Sequence, residues 1–224
     1  DNVGEFYHLD MCYSGKRSIL KKIRTQTFEN RQITKQLICS PSLSESQTKS
    51  INEFIANECK KDNCYIGFGT LHRDNLDYKD HIKYIKQLGL KGIKFHPDFQ
   101  EFDIDDEKMI EVYKEIAKNG LPVIFHMGDE TRSYSAPEKL HNAMKKVPDM
   151  VVIAAHMGGY SQYDKAYKVL ERCDNLFFDV SSTMAFLDEY SFKKTIDKFG
   201  ESQFFFGSDF PMWDPIAELK RPKE

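Results

Sequence analysis

With 224 residues, 40% of them apolar and 30% charged, the chain is long enough for one substantial domain, short for two, and too apolar for a disordered segment. Lys plus Arg number 32 against 35 Asp plus Glu, and the resulting formal charge of -3 offers no basic footprint for nucleic acid. No apolar stretch approaches the roughly 20 residues of a membrane span, and the first fourteen residues lack the apolar core of a secretory signal.

The five cysteines, Cys12, Cys39, Cys59, Cys64 and Cys173, are odd in number and scattered. They read as ordinary reduced thiols of a cytoplasmic protein. The nearest pair, Cys59 and Cys64, has no second pair behind it to complete a zinc site.

In chain order, short apolar runs alternate with amphipathic segments. Thr34–Cys39 is a first candidate strand, and Cys64–Leu71 (CYIGFGTL) a clearer one. Tyr78–Leu88 places Ile82, Ile85 and Leu88 on one helical face. Gly92–Phe95 (GIKF) follows as a strand, then Asp106–Lys118 as a helix carrying Met109, Ile110, Tyr113 and Ile116. Asn119-Gly120 gives that helix its stop, and Pro122 opens the next strand, Val123–Phe125. Helix Pro137–Lys146, strand Met150–Ala155, helix Gln162–Arg172, strand Leu176–Val180, helix Asp188–Phe199 and strand Gln203–Phe206 continue the pattern. Asp214–Lys220 begins a last helix.

The repeat is regular. His96, His126 and His156 are spaced by 30 residues, as are Asp179 and Asp209. A strand, a helix and two loops need about that length, so the chain spells a parallel sheet with helices outside it. An open doubly wound sheet collects ligands at one switch point, usually beside a glycine-rich phosphate loop. Here a polar residue ends nearly every run, namely His72, His96, His126, His156, Ser181 and Asp209. That distribution predicts an α/β fold of the TIM (β/α)8 barrel type, a single barrel domain over residues 1–224, with the site at the C-terminal ends of its strands.

Two of the runs, PVIFHMG and VVIAAHMGG, end in His-Met-Gly, and FFFGSDFP sets Asp209 after the last strand. Two imidazoles and one carboxylate suit a divalent ion with an open position for water, whose pKa falls on binding. In GIKFHP, Lys94 and His96 are two apart and share the inner face, while Ile93 and Phe95 face outward. Lys94 and His96 therefore point into the barrel as candidate site residues, and Arg132, after the strand Val123–Phe125, is a candidate substrate contact through a bidentate grip on a carboxylate. Asp129, Tyr160, Ser182 and Trp213 also follow strand ends; His8, His81 and His141 read as surface residues.

KGIKFHP, PVIFHMG, VIAAHMGG, NLFFDVSS and FFFGSDFP, in this order from about Ile66 to Pro215, resemble the strand-end motifs of the amidohydrolase superfamily. The closest likeness is to its amidohydrolase-related branch of small metal-dependent hydrolases, lactonases and nonoxidative decarboxylases. The resemblance implies His126 as a metal ligand. It makes His156 a second ligand or an acid/base group, and Asp209 a ligand and proton acceptor. It also implies one divalent ion, Zn²⁺ first, with two as the alternative, and a small-molecule substrate. Some relatives use a carbamylated lysine after the fourth strand, where Lys94 stands; the single ion usual in this branch instead implies Lys94 as the binder of a substrate carboxylate, with His96 a substrate contact or a hydrogen-bonded rim residue.

The superfamily's His-x-His after the first strand has no counterpart, since EFYHLD near the start holds only His8. Lys16–Thr27 resembles the first barrel helix, so the first strand is expected before Asp1 and the barrel is expected to be incomplete in this sequence. The leading expectation is a hydrolase of a small amide, lactone or ester using metal-activated water. Nonoxidative decarboxylation of a small carboxylate and an inactive barrel with a binding role are the alternatives. With 17 Phe and 11 Tyr there is material for a buried interface, and a homodimer is a candidate assembly. A GxSxG elbow is absent, and Gly67-Phe68-Gly69 is followed by His72 where a dinucleotide fingerprint needs glycine.

Overall fold

The structure, a computed structural model, describes residues 35–220; His8, Cys12 and the helix expected at Lys16–Thr27 lie outside the described residues. Each expected strand forms. They are β1 (Gln36–Ile38), β2 (Tyr65–Gly67), β3 (Gly69–Thr70), β4 (Ile93–Phe95), β5 (Val123–Phe125), β6 (Val152–Ala154), β7 (Leu176–Asp179) and β8 (Phe204–Phe205). All pairings are parallel, β1 with β2 and then β3 through β8 in strict sequence order. A doubly wound sheet reverses its strand order at a switch point. Monotonic order with a helix at each crossover is the winding of a barrel.

The run Cys64–Leu71 is one strand with a step in it. At Phe68 the pairing passes from one neighbour to the next: the Phe68 amide donates to the Ile38 carbonyl at 3.0 Å, and the Gly69 amide to Gly92 at 2.9 Å. A Cβ on Gly92 would sit 2.2 Å from the Phe68 ring, so the ring fills the space this glycine leaves. Among the described residues β1 and β8 each pair on one side only, and Leu37, Phe205 and Phe206 on or beside them stay 40%, 48% and 43% exposed.

The helices are α1 (Thr48–Lys61), α2 (Tyr78–Gln87), α3 (Pro97–Gln100), α4 (Glu107–Lys118), α5 (Pro137–Lys146), α6 (Tyr163–Val169), α7 (Glu189–Phe199) and α8 (Pro215–Lys220). Their ends follow local chemistry. The Asp106 carboxylate caps α4 by accepting from the Lys108 amide at 2.8 Å, and Gly120 (φ +69) closes it. Asp188 caps α7 in the same way, accepting from the Ser191 amide. Helix α6 is shorter than the sequence pattern predicted. The chain turns extended at Leu170, whose carbonyl accepts from Lys198 of α7 at 2.8 Å; the Tyr167 carbonyl accepts from the same ammonium.

The core lies between sheet and helices. Ile93, Phe95, Val123, Phe125, Val152 and Ala154 are fully buried on the outer face, against Ile82 and Ile85 of α2, Tyr113 and Ile116 of α4, and Leu140 and Ala143 of α5. Phe95 stacks on Phe125 at 5.8 Å and meets the edges of Phe102 and Tyr113. Burial of each such ring contributes roughly 2–3 kcal/mol. The outward direction expected for Ile93 and Phe95 holds, and it turns Lys94 to the inner side. No helix among the described residues is long and apolar enough to cross a membrane.

Candidate active site

The C-terminal ends of the strands carry a buried polar layer that fixes where each site residue stands. Thr70 Oγ accepts from the Ser42 amide at 3.1 Å and donates to the Lys94 carbonyl at 3.0 Å. Asn52 of α1 clasps the Thr70 backbone from both sides, at 2.7 and 3.0 Å. The Gln100 amide donates to the Ser42 and Leu71 carbonyls, at 2.9 and 2.7 Å, while its oxygen accepts from the His96 amide at 2.9 Å. One side chain thus ties the exits of three strands.

His126 and His156 leave β5 and β6 and meet at the centre. Their rings are inclined by 68°, and His126 Nδ1 lies 3.0 Å from His156 Nε2. The outer nitrogens face carbonyl oxygens, His126 Nε2 to Gly128 at 2.9 Å and His156 Nδ1 to Ser181 at 3.0 Å. A carbonyl only accepts, so each outer nitrogen carries the N–H. In the neutral rings both inner nitrogens are then lone pairs, pointed at one another. Such a contact requires an electrophile between them, either a proton or a cation. His126 is held well below the ordinary histidine value, first by burial and then by His96, His156 and Lys94. A proton on His126 is therefore disfavoured. Two imidazoles bound at about 2.0–2.1 Å to one tetrahedral ion stand about 3.3 Å apart. The residues fit a metal ion.

Asp209 lines the same cavity as His126 and His156, with Tyr160, Ser182, Phe186, Met212 and Trp213 as the remaining wall. Asp209 (φ +51), His156 (φ +56) and Ser182 (φ +52) all occupy the left-handed region that non-glycine residues avoid. Strain of this kind persists where the surroundings enforce it, and it gathers at functional sites.

A second group of ligand-type residues is His96, Asp98 and His126, whose ligand atoms all lie within 4.8 Å of one another. The His96 and His126 rings are stacked at 3.8 Å, only 10° from parallel. Lone pairs lie in the ring planes, so these run side by side and do not converge on one ion. Burial, then Lys94, holds His96 well below its ordinary value as well. Beneath the stack, Asp98 is fully buried with Oδ1 unpartnered and Oδ2 accepting from Ser135. Burial first, opposed by Ser135 and aided by Asp129, pushes its carboxyl up to about 6.

Lys94, His96 and Arg132 are not among the residues lining the cavity. Arg132 donates to the Asp98 carbonyl and lies 3.8 Å from the Glu101 carboxylate. Asp129 is buried and caps its own loop, accepting from the Thr131 and Arg132 amides at 2.8 Å each. His72 pairs with Asp74 at 3.4 Å and His81 with Asp77 at 3.3 Å. Asp98, Gln100 and the Gly128 carbonyl went unnoticed in the sequence; the two-residue step from His96 to Asp98 was the available signal.

The family model described as Amidohydrolase matches residues 43–224. The chain belongs to the amidohydrolase family. No curated protein matches the chain by sequence at a significant level. Among solved structures, a TIM-barrel protein of Bordetella bronchiseptica aligns with a TM-score of 0.70 at 18% identity, covering 89% of this chain and 76% of that one. A 5-carboxyvanillate decarboxylase of Novosphingobium aromaticivorans, solved with manganese, aligns at 0.68 and 15% identity, covering 90% and 75%. A probable 2-pyrone-4,6-dicarboxylic acid hydrolase of Acinetobacter baumannii, solved with citric acid, aligns at 0.61 and 13% identity, covering 90% and 77%. At these identities the likeness speaks for the barrel alone. His126, His156 and Asp209 follow the ends of β5, β6 and β8 and line one cavity at the rim where barrel sites form.

Proposed function

We propose that this amidohydrolase is a metal-dependent hydrolase of a small amide, lactone or ester, with His126, His156 and Asp209 holding one divalent ion. The observation that carries the reading is the pair of inner nitrogens, 3.0 Å apart, with both outer nitrogens committed to backbone carbonyls. A divalent ion there supplies Lewis acidity, polarising an acyl oxygen and making water more acidic. The Asp209 carboxylate accepts the proton of the attacking water. Asp209 then hands that proton to the departing atom, while His156, braced by the Ser181 carbonyl and hydroxyl at 3.0 and 3.1 Å, would hold the ion through Nε2. Lys94, the inner-face cation of β4, binds a substrate carboxylate. Zn²⁺ and Mn²⁺ are the ions to try first.

Nonoxidative decarboxylation is the second reading, favoured by the aromatic wall of Tyr160, Phe186 and Trp213 around the cavity. There His126 and Asp209 alone would hold the ion, and His156 Nε2, off the ion, would deliver the proton to the carbon that loses carbon dioxide. Elemental analysis of the purified protein, beside His126→Ala and Asp209→Ala, tests the common core. About one equivalent of metal, lost in both variants, is expected. No retained metal after reconstitution with Zn²⁺ and Mn²⁺ rejects both catalytic readings and leaves a binding scaffold. Carbon dioxide release against incorporation of oxygen from labelled water then separates decarboxylase from hydrolase.

A further inference from the structure

Trp213 is the chain's single tryptophan, and its indole N–H donates to Ser182 Oγ at 3.1 Å. The indole nitrogen can only donate. The serine oxygen is therefore the acceptor, and its own proton is directed to Asp209 Oδ2 at 3.0 Å. The chain of bonds has one direction, from Trp213 through Ser182 to Asp209. Ser182 is 5% exposed, and its carbonyl accepts from the Tyr163 hydroxyl at 3.1 Å, which anchors the link from behind. Both Ser182 and Asp209 stand at positive φ, and the bond joins the two strained residues directly. Trp213 is itself wedged. Its ring meets Phe186 edge-on at 6.1 Å, Phe186 meets Tyr160 at 5.5 Å, and Tyr160 meets His156 at 6.0 Å. One wall runs from Asp209 round to His156.

We propose that Ser182 and Trp213 are positioning residues: their directed hydrogen bonds fix the Asp209 carboxylate by engaging Oδ2, and leave Oδ1 for the ion and the water. The inference rests on the metal-site reading above and adds to it the residues that orient the carboxylate. Trp213 has no competitor for fluorescence, so the link is observable without metal or substrate. In metal-free protein, Asp209→Ala shifts the Trp213 emission because Ser182 loses its acceptor. In a Ser182→Ala background the same change shifts it no further. Unchanged emission in Asp209→Ala overturns the link.

The consequence is read by Mn²⁺ titration calorimetry. Ser182→Ala weakens Mn²⁺ binding about 10- to 100-fold, the usual effect of losing a residue that orients a ligand. Trp213→Phe, which removes the N–H and keeps a ring, weakens it less. The double variant binds no more weakly than Ser182→Ala alone, because both act through one bond. Additive losses, or Mn²⁺ affinity within twofold of wild type in Ser182→Ala or Trp213→Phe, overturn the positioning role while the metal site stands. Absence of Mn²⁺ binding by the wild-type chain overturns the metal reading and this inference with it.

Discussion

Replacing Asp98 by Asn should stabilise the metal-free protein at neutral pH and do progressively less as the pH falls. The Asp98 carboxyl is fully buried, one of its oxygens has no partner, and Asp129, also buried, adds a second negative charge nearby. Its value rises from 3.8 to about 6. A raised carboxyl value means that the folded state binds the proton more tightly than the unfolded chain. Its contribution is therefore favourable below about 4 and is lost as the pH rises through about 6. A gap of about 2 units at ~1.4 kcal/mol per unit gives a cost on the order of 3 kcal/mol once the group is ionised in both states. His96 and His126 run the other way. Their folded values are depressed, so they are lost as contributors when the pH falls through the ordinary histidine range. The wild-type profile mixes both trends, but the difference between wild type and Asp98→Asn isolates the aspartate. The carboxamide of the variant keeps an acceptor for the Ser135 hydroxyl and brings an N–H that can donate toward Asp129. Urea unfolding in the presence of chelator should show the variant more stable at pH 7.5 by on the order of 3 kcal/mol, a margin that shrinks by about 2 kcal/mol at pH 4.5. A difference that does not change with pH, or a variant less stable than wild type at pH 7.5, would refute the claim that Asp98 is a strained carboxylate.

Two further outcomes follow from the same geometry. Gly128→Ala sets a Cβ 2.2 Å from the Tyr160 carbonyl oxygen at φ +78, where both contact and backbone resist it. A loss of about 2–4 kcal/mol is expected, a fall of roughly 5–15 °C in Tm, together with weaker metal binding because the carbonyl that orients His126 is displaced. A melting shift under 2 °C with unchanged metal content would show that the two loops yield freely. Lys94→Met should raise KM for an anionic substrate about 10- to 100-fold and leave kcat nearly intact, since the cation is assigned to binding. A fall in kcat at constant KM would place Lys94 in the chemistry instead.

Much of the barrel was legible because its grammar is local. Short runs such as VIF, buried on both faces of a parallel sheet, and LFFD, buried on one, are readable in sequence, and a regular spacing leaves room for one helix between them. The step at Phe68 was not legible. It depends on Gly92 lying opposite and accepting the ring, a relation between strands that no single run contains. The end of α6 was missed for the same reason, since Lys198 reaches its carbonyls from another helix. Arg132 reads from the sequence as a cation turned toward substrate, yet the Asp98 carbonyl of α3 takes it up.

The site divides along the same line. His126, His156 and Asp209 were readable as residue types at strand ends, and the cavity does gather all three. Which nitrogen of each ring faces inward was not readable, because the deciding partners are the carbonyls of Gly128 and Ser181, groups that every residue possesses. Those carbonyls are presented only because Gly128 can turn at φ +78 against the Tyr160 backbone, and because Ser181 is held by Asp179 Oδ1 on its amide at 2.8 Å. On the proposed reading, function is specified twice. Side-chain identity supplies the proposed ligands, and backbone conformation, through glycine and strained left-handed residues, sets their tautomers. Loss of the second kind of information would leave every proposed ligand in the sequence and still weaken the site, which is why Gly128→Ala is a sharper test of this architecture than removal of any one histidine.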